Sequence, residues 1–207
     1  MSTIVVHPSY FPSIAQMVAI AQATKVIFEV EDNYQKQTYR NRCYIAHNNG
    51  KLSLNIPIKH SKNRVRLQTK NVQVENDFPW QSQHWKSIQT AYRTSPFFEY
   101  YEDDLKPLFE KEVFSLLDFN LTAFDVLYEL LGLSVEVSKT QRYEVALASN
   151  DLRFLINVKK EKTHPLTSYT QVLEAQHGFL PNLSVLDLLC NEGPAALQYL
   201  ESQKSLI

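Results

Sequence analysis

From Thr3 to Val30 the chain runs β-branched strand, turn, helix, strand, and that order commits it to a parallel strand pair. Thr3 to His7 reads as the first strand, HPSYFPS as a turn-rich connection, and Ile14, Met17, Val18 and Ala21 fall at helical spacing. Lys25 to Val30 returns as a second apolar strand. Parallel neighbours need a crossover, and a helix is the usual one. The unit therefore predicts an open α/β sheet. It also sets His7, Ser9 and Tyr10 just beyond the carboxyl end of the first strand, where such sheets hold ligands.

Downstream, Cys43 to Ile45 and Leu52 to Ile58 flank Asn48-Asn49-Gly50, a hairpin signal because Asn and Gly tolerate positive φ. Trp85, Ile88 and Tyr92 mark an amphipathic helix after Asp77 and Pro79. Asp104 is the predicted cap of a helix through Leu105, Leu108 and Phe109. Asn120 is the predicted cap of another, with Phe124, Leu127, Tyr128 and Leu131 on one face and Gly132 at its end. Leu133 to Val137 is a short strand candidate, and Arg142 to Pro165 gives no clear element. The last helices start after an Asn182 cap and at Pro194. The fold class expected is α/β: one domain over 1–207, with an N-terminal βαβ unit, a β-hairpin in a mixed sheet, and several packed helices in the C-terminal half.

The 207 residues carry a formal charge of -1, yet between Asn33 and Val74 there are nine cations and no Asp or Glu. A field of one sign raises the local concentration of anions even when the net charge is near zero. With four glycines and no GxGxxG or GxxxxGK[ST] pattern, any anion must be held by side chains or helix N-termini. The decapeptide NYQKQTYRNR concentrates the candidates. Lys36 and Arg40 are four apart and share a face in either a strand or a helix; in a strand Arg42 and Tyr34 join them. Asn33, Gln35, Gln37 and Asn41 add neutral hydrogen bonds, so the expected binding set is Tyr10, Asn33, Tyr34, Lys36, Arg40, Asn41 and Arg42. Lys59 to Lys70 reads as a basic loop that supplies field or closes over a ligand. The competing reading is a solvated basic edge pairing with Glu29, Glu31 and Asp32.

His7 and His84 are the candidate general bases, and Asp187 completes the catalytic candidates. Ser184, Asp187 and Asn191 make a narrow polar stripe at i, i+3 and i+7 of an apolar helix. That stripe is either a solvent face or a device by which Asp187 orients an Arg or a substrate amine. A Ser-His-Asp triad from Ser184 or Ser9 with His7 or His84 stays open, without a nucleophile-elbow sequence. EYYEDD is read as a charge cluster at a helix N-terminus. His47, His60, His164 and His177 show no paired ligand spacing, so no metal site is expected; no cofactor is expected either. Cys43 and Cys190 read as buried thiols of a reducing compartment. No apolar run reaches the ~20 residues of a membrane span. The first cation is Lys25, unlike a signal peptide, so a cytoplasmic protein without membrane insertion is expected.

HPSYFPS, NYQKQTYRNR with the following LNIPIK, HWKSIQTAYRTSPFF, and GFLPNLSVLDLLCNEG together resemble the WbqC-like family, in the family's order and over nearly the whole chain. His7 stands where many members carry Gln, and the stretch from Arg142 to His164 is shorter than the family pattern. The resemblance implies a role in bacterial surface-polysaccharide (O-antigen, lipopolysaccharide) synthesis, with transfer of a glycyl or similar aminoacyl group to a nucleotide-linked amino sugar. Joined to the basic segment, it makes an anionic small molecule such as a nucleotide-sugar the expected partner. The alternative is a non-catalytic anion- or RNA-binding module, with Tyr34, Tyr39 and Tyr44 interleaved among the cations for base stacking. A third reading docks the basic face on the EYYEDD face of a second copy. The sequence sets no oligomeric state.

Overall fold

Strand β1 (Thr3–Val6), helix α1 (Ile14–Ala21) and strand β2 (Lys25–Phe28) form the expected βαβ unit, with Thr3 to Val6 in parallel register with Lys25 to Phe28. The molecule is seen in a computed structural model that describes residues 2–59, 67–145, 150–159 and 163–204. Ser13 caps α1 through its Oγ, which accepts from Gln16 N, and Ile14 to Ile20 are all buried. A helix buried on every side is a core helix, its one polar residue there, Gln16, bonded to Ser9 and His7 O. Ile4, Val5 and Val6 are likewise buried, as expected of a central parallel strand covered on both faces.

The hairpin follows as β3 (Arg42–His47) and β4 (Gly50–Asn55), closed by Asn48 and Asn49 with Gly50 at φ 104. It forms a separate two-stranded sheet instead of joining the parallel one. Helices α2 (Trp80–Tyr92), α3 (Phe98–Leu105) and α4 (Leu116–Leu131) come next. In α2, Trp80, His84, Ile88 and Ala91 line the buried face at helical spacing. Among these helices two caps differ from expectation. Asp104 lies in the last turn of α3, because Pro107 cannot continue an α-helix and the chain tightens into a short turn over Lys106–Phe109. Ser115 caps α4, so Asn120 falls in the second turn, buried, where its Nδ2 donates to Arg40 O at 2.7 Å. Gly132 ends α4 at φ 69, a left-handed residue as its position implied, with Leu133 N reaching back to Tyr128 O.

Strand β5 (Glu136–Lys139) starts three residues later than Leu133, because its register is set by pairing Glu136 to Lys139 with Lys25 to Phe28. The short β6 (Asn150–Asp151) pairs with Ile4 and Val5 on the other side of β1. The parallel sheet thus runs β5-β2-β1-β6. From β1 the chain steps one way to β2, while β6 flanks β1 on the opposite side, which makes the β1/β6 border a topological switch point.

A single turn, α5 (Glu174–His177), precedes α6 (Val185–Glu192) and α7 (Ala196–Ser202). Ser184, not Asn182, caps α6, with its Oγ accepting from Leu186 N. Asn182 instead adopts φ 53 and its Oδ1 accepts from Ala15 N at 2.8 Å, so it satisfies the first turn of α1. The two helix starts are tied directly, Ile14 N to Leu183 O and Val185 N to Pro12 O. Gly193 permits the tight approach after α6: a Cβ there would lie 2.4 Å from the Phe97 ring.

Candidate ligand cleft and buried charge network

The loop from Glu29 to Asn41 leaves the carboxyl end of β2 and folds back over the sheet. It is neither strand nor helix, with Gln37 at φ 59, so the four-residue spacing of Lys36 and Arg40 does not place them on one face. Arg40 turns inward and is fully buried, Lys36 is exposed, and Arg42 opens the hairpin half-buried. The expected three-cation convergence is therefore split into a buried member and a surface pair.

Arg40 organises the interior. Its Nη2 donates to Asp32 Oδ2 at 2.5 Å and to His7 Nε2 at 3.1 Å, and its Nη1 to Thr38 Oγ1 at 3.3 Å. Asp32 is completed by Thr69, whose Oγ1 donates to Oδ1 at 2.6 Å. His7 Nδ1 lies 3.4 Å from Glu29 O and 3.8 Å from Asp32 Oδ2. Glu29, also fully buried, accepts from Thr140 Oγ1 at 2.9 Å and Glu31 N at 2.8 Å, and its Oε2 faces Arg153 Nη1 at 3.5 Å. Arg153 in turn makes two bonds to Asp151, at 2.9 and 2.6 Å. His7 follows β1, Glu29 follows β2, Thr140 follows β5 and Arg153 follows β6, so the network occupies the carboxyl edge of the parallel sheet.

A donor at Nε2 requires His7 to be the neutral tautomer with its proton on Nδ1, directed at the Glu29 carbonyl. Burial, with Arg40 and then Arg153 adding to it, lowers the His7 pKa to about 3. Burial also pulls the Arg40 guanidinium down from its ordinary value, against the charge and hydrogen bond of Asp32.

In front of this network opens a cleft of about 490 Å³. Tyr34, Lys36, Asn41 and Arg42 from the expected set line it, joined by Asn55 to Ile58 of the hairpin exit and by Glu75 and Phe78. Arg42 is held by its Nε, which donates to Asn55 Oδ1 at 2.6 Å, and Asn41 Nδ2 donates to Ile56 O at 2.9 Å. Neither Arg42 nor Lys36 has a carboxylate within 4.0 Å among the described residues. Tyr34 links front to back: burial raises its hydroxyl to about 12, against the pull of Arg40 and Arg42. Phe78 leaves 62% of its surface exposed at the cleft.

The remaining candidates lie elsewhere. Asn33 is exposed, bridges to Gln68, and does not line the cleft. Tyr10 is fully buried against Phe11 and Phe119, and its hydroxyl meets His84 Nδ1 at 2.9 Å. His84 also has Trp80 edge-on at 5.2 Å and a hydrogen bond with the Asn55 backbone; burial lowers its pKa to about 4. Asp187 is fully buried, accepting from the Tyr169 hydroxyl and from Gln171 Nε2 at 2.8 Å; burial raises its carboxyl against these bonds. Ser184, Asp187 and Asn191 are all buried; Asp187 and Asn191 bind segment 169–180 to α6 while Ser184 caps the helix, so the stripe is neither a solvent face nor turned to the basic surface. No hydrogen bond or ion pair among the described residues joins any two of His7, His84 and Asp187. Ser9 Oγ donates to Gln16 and Ser184 caps α6, so no triad is assembled.

The competing edge reading is met in part: Arg40 pairs with Asp32 and Lys70 with Glu31, while Glu29 takes its cation from Arg153. Lys62, Arg64 and Arg66 of the basic loop lie outside the described residues. Cys43 and Cys190 are free and buried, and burial pushes both thiols up. Among the described residues no group of three or more His, Cys, Asp or Glu could hold a metal ion, and no helix is long and apolar enough to cross a membrane. Sequence reasoning missed Arg153, Glu75 and Phe78. Only the run of acids at Glu29, Glu31 and Asp32, just before the acid-free stretch, signalled a charge partner for Arg40.

Comparison with known proteins identifies a family. A family model described as the WbqC-like protein family matches residues 7–166. An uncharacterized protein of Mycobacterium tuberculosis, Rv1507c, is 22% identical over 223 residues, covering 95% of this chain and 96% of its own. No solved structure matches. The segments that carry the resemblance meet in space: NYQKQTYRNR and LNIPIK build most of the cleft, HWKSIQ supplies His84 against the Asn55 backbone, and HPSYFPS supplies His7 and Tyr10 behind it.

Proposed function

Because this chain belongs to the WbqC-like protein family, we propose that its cleft holds an anionic small molecule of the nucleotide-sugar class. In this proposal the protein is a cytoplasmic transferase of bacterial surface-polysaccharide synthesis that moves an aminoacyl group, glycyl in the simplest case, to the amino sugar. One observation carries the ligand: Lys36 and Arg42, neither matched by a carboxylate, share an open cleft with the rings of Tyr34 and Phe78. Two cations suit a diphosphate, a guanidinium fork gives it direction, and aromatic faces suit a base or sugar ring.

His7 and His84 enter this proposal as supports of the cleft. His84 holds the Asn55 backbone, and His7 holds Arg40 behind Tyr34. Proton transfer by either would require its ring to give up the bond to Arg40 or Tyr10. Asp187 enters as the anchor of segment 169–180 on α6.

Titration calorimetry with uridine diphosphate sugars tests the ligand. Lys36→Ala and Arg42→Ala are each expected to weaken binding about tenfold, the worth of a charge-assisted hydrogen bond. Unchanged affinity in both would sink the cleft assignment. Incubation of the amino-sugar nucleotide with aminoacyl donors, followed by mass spectrometry, tests the transfer.

The engagement of both histidines favours a second reading, a non-catalytic module that binds anions or RNA in the same cleft. Affinity for random RNA that falls steeply with salt, with no discrimination among nucleotide-sugars, would support it instead.

A further inference from the structure

We infer that Glu75 makes the cleft selective for ligands that carry a free amine as well as an anion; the inference rests on the anion-site reading above. Glu75 lines the same cleft as Lys36 and Arg42, yet among the described residues it has no cation within 4.0 Å. Opposite charges that share a wall without pairing leave a field with two poles. A ligand with only negative charge gains at Lys36 and Arg42 and loses at Glu75, whereas one that also carries an ammonium gains at both.

The position of Glu75 is built. Its backbone N donates to Pro57 O at 2.9 Å, placing it across from the hairpin exit, where Ile58 bridges to Val74. Its Oε1 accepts from Asp77 N at 3.3 Å, which fixes the carboxylate and leaves Oε2 without a hydrogen-bond partner among the described residues. Phe78, three residues on, offers its exposed ring to the same cleft. A carboxylate beside an aromatic face is a common way to hold an ammonium, because both attract the cation. Glu75 touches neither His7 nor Arg40, so its role is separable from that of the buried network.

The test compares uridine diphosphate glucosamine, which carries a free 2-amine, with uridine diphosphate glucose, which carries a hydroxyl there, near neutral pH. Wild type is expected to bind the amine-bearing probe about tenfold more tightly. Glu75→Gln keeps an oxygen for Asp77 N and removes only the charge, so it is expected to bind both probes alike. Equal affinities in wild type, or a preference that survives in Glu75→Gln, would overturn the inference and leave the anion site standing. Failure of both probes to bind wild type at millimolar concentration would overturn the anion site itself. Thermal melting checks that Glu75→Gln folds, and the wild-type comparison decides the matter if it does not.

Discussion

Arg40 Nη2 donates to His7 Nε2 at 3.1 Å while reaching Asp32 Oδ2 at 2.5 Å, so one guanidinium nitrogen both neutralises a buried acid and fixes the tautomer of a buried histidine. The histidine must stay neutral, since protonation would set a second cation against Arg40, with Arg153 also acting on it. From this contact follow the pH behaviour of the fold and its sensitivity to substitution.

Stability should fall as the solution is acidified from neutral. The folded-state pKa values of His7, about 3, and His84, about 4, lie below their ordinary 6.5, so between those limits only the unfolded chain takes up the protons. The contribution is complete above about 6.5 and lost toward 4 and 3. Asp187, raised by burial, acts in the opposite sense and is common to wild type and variant. Urea midpoints at pH 7.5 and 5 should drop in wild type, and less in His7→Asn; equal slopes in the two proteins would contradict the neutral, buried His7.

Removing Arg40 should cost more than removing the pair. Arg40→Met leaves Asp32 buried with its Oδ2 facing no cation, a loss of roughly 3–5 kcal/mol. Asp32→Asn with Arg40→Met removes both charges and should recover part of that. Denaturant titration of the two singles and the double gives the coupling, and strict additivity would argue against the pairing.

Gly193→Ala should destabilise by about 2 kcal/mol or more. The added methyl meets the Phe97 ring at 2.4 Å, and the backbone sits at φ 53. A shift in melting temperature measures it. Gly178→Ala, with open space around its Cβ but φ 73, should cost less.

Asp187 is expected to be a stability residue. Tyr169→Phe removes its hydroxyl donor and should cost about 1–2 kcal/mol. Its first symptom should be faster proteolysis of segment 169–180, with little change in ligand affinity. A selective loss of nucleotide-sugar binding without destabilisation would instead place Asp187 in the site.

The expected βαβ unit, the Asn-Asn-Gly hairpin and the Gly132 stop were legible because each depends on neighbours in the chain: alternating apolar spacing, positive-φ residues, and a cap after an apolar face. Helix starts were less legible. Asn120 and Asn182 are good cap residues by type, yet Ser115 and Ser184 hold those positions while the two asparagines reach across to Arg40 O and Ala15 N. Local propensity does not record which distant backbone group is left unsatisfied.

The acid-free basic stretch was set by the sequence alone, since it is a property of chain order. So was the sheet edge after β1 that receives His7. Which cations serve as surface and which as core was settled only by the tertiary structure. The loop from Glu29 to Asn41 is irregular, so periodicity could not aim its side chains, and the cost of burying Arg40 is met by Asp32, eight residues back, and by His7 just past the end of β1. Asp187, Glu75 and Arg153 follow the same rule. A charge takes its role from the groups that fold against it, and these come from elements far apart in the chain.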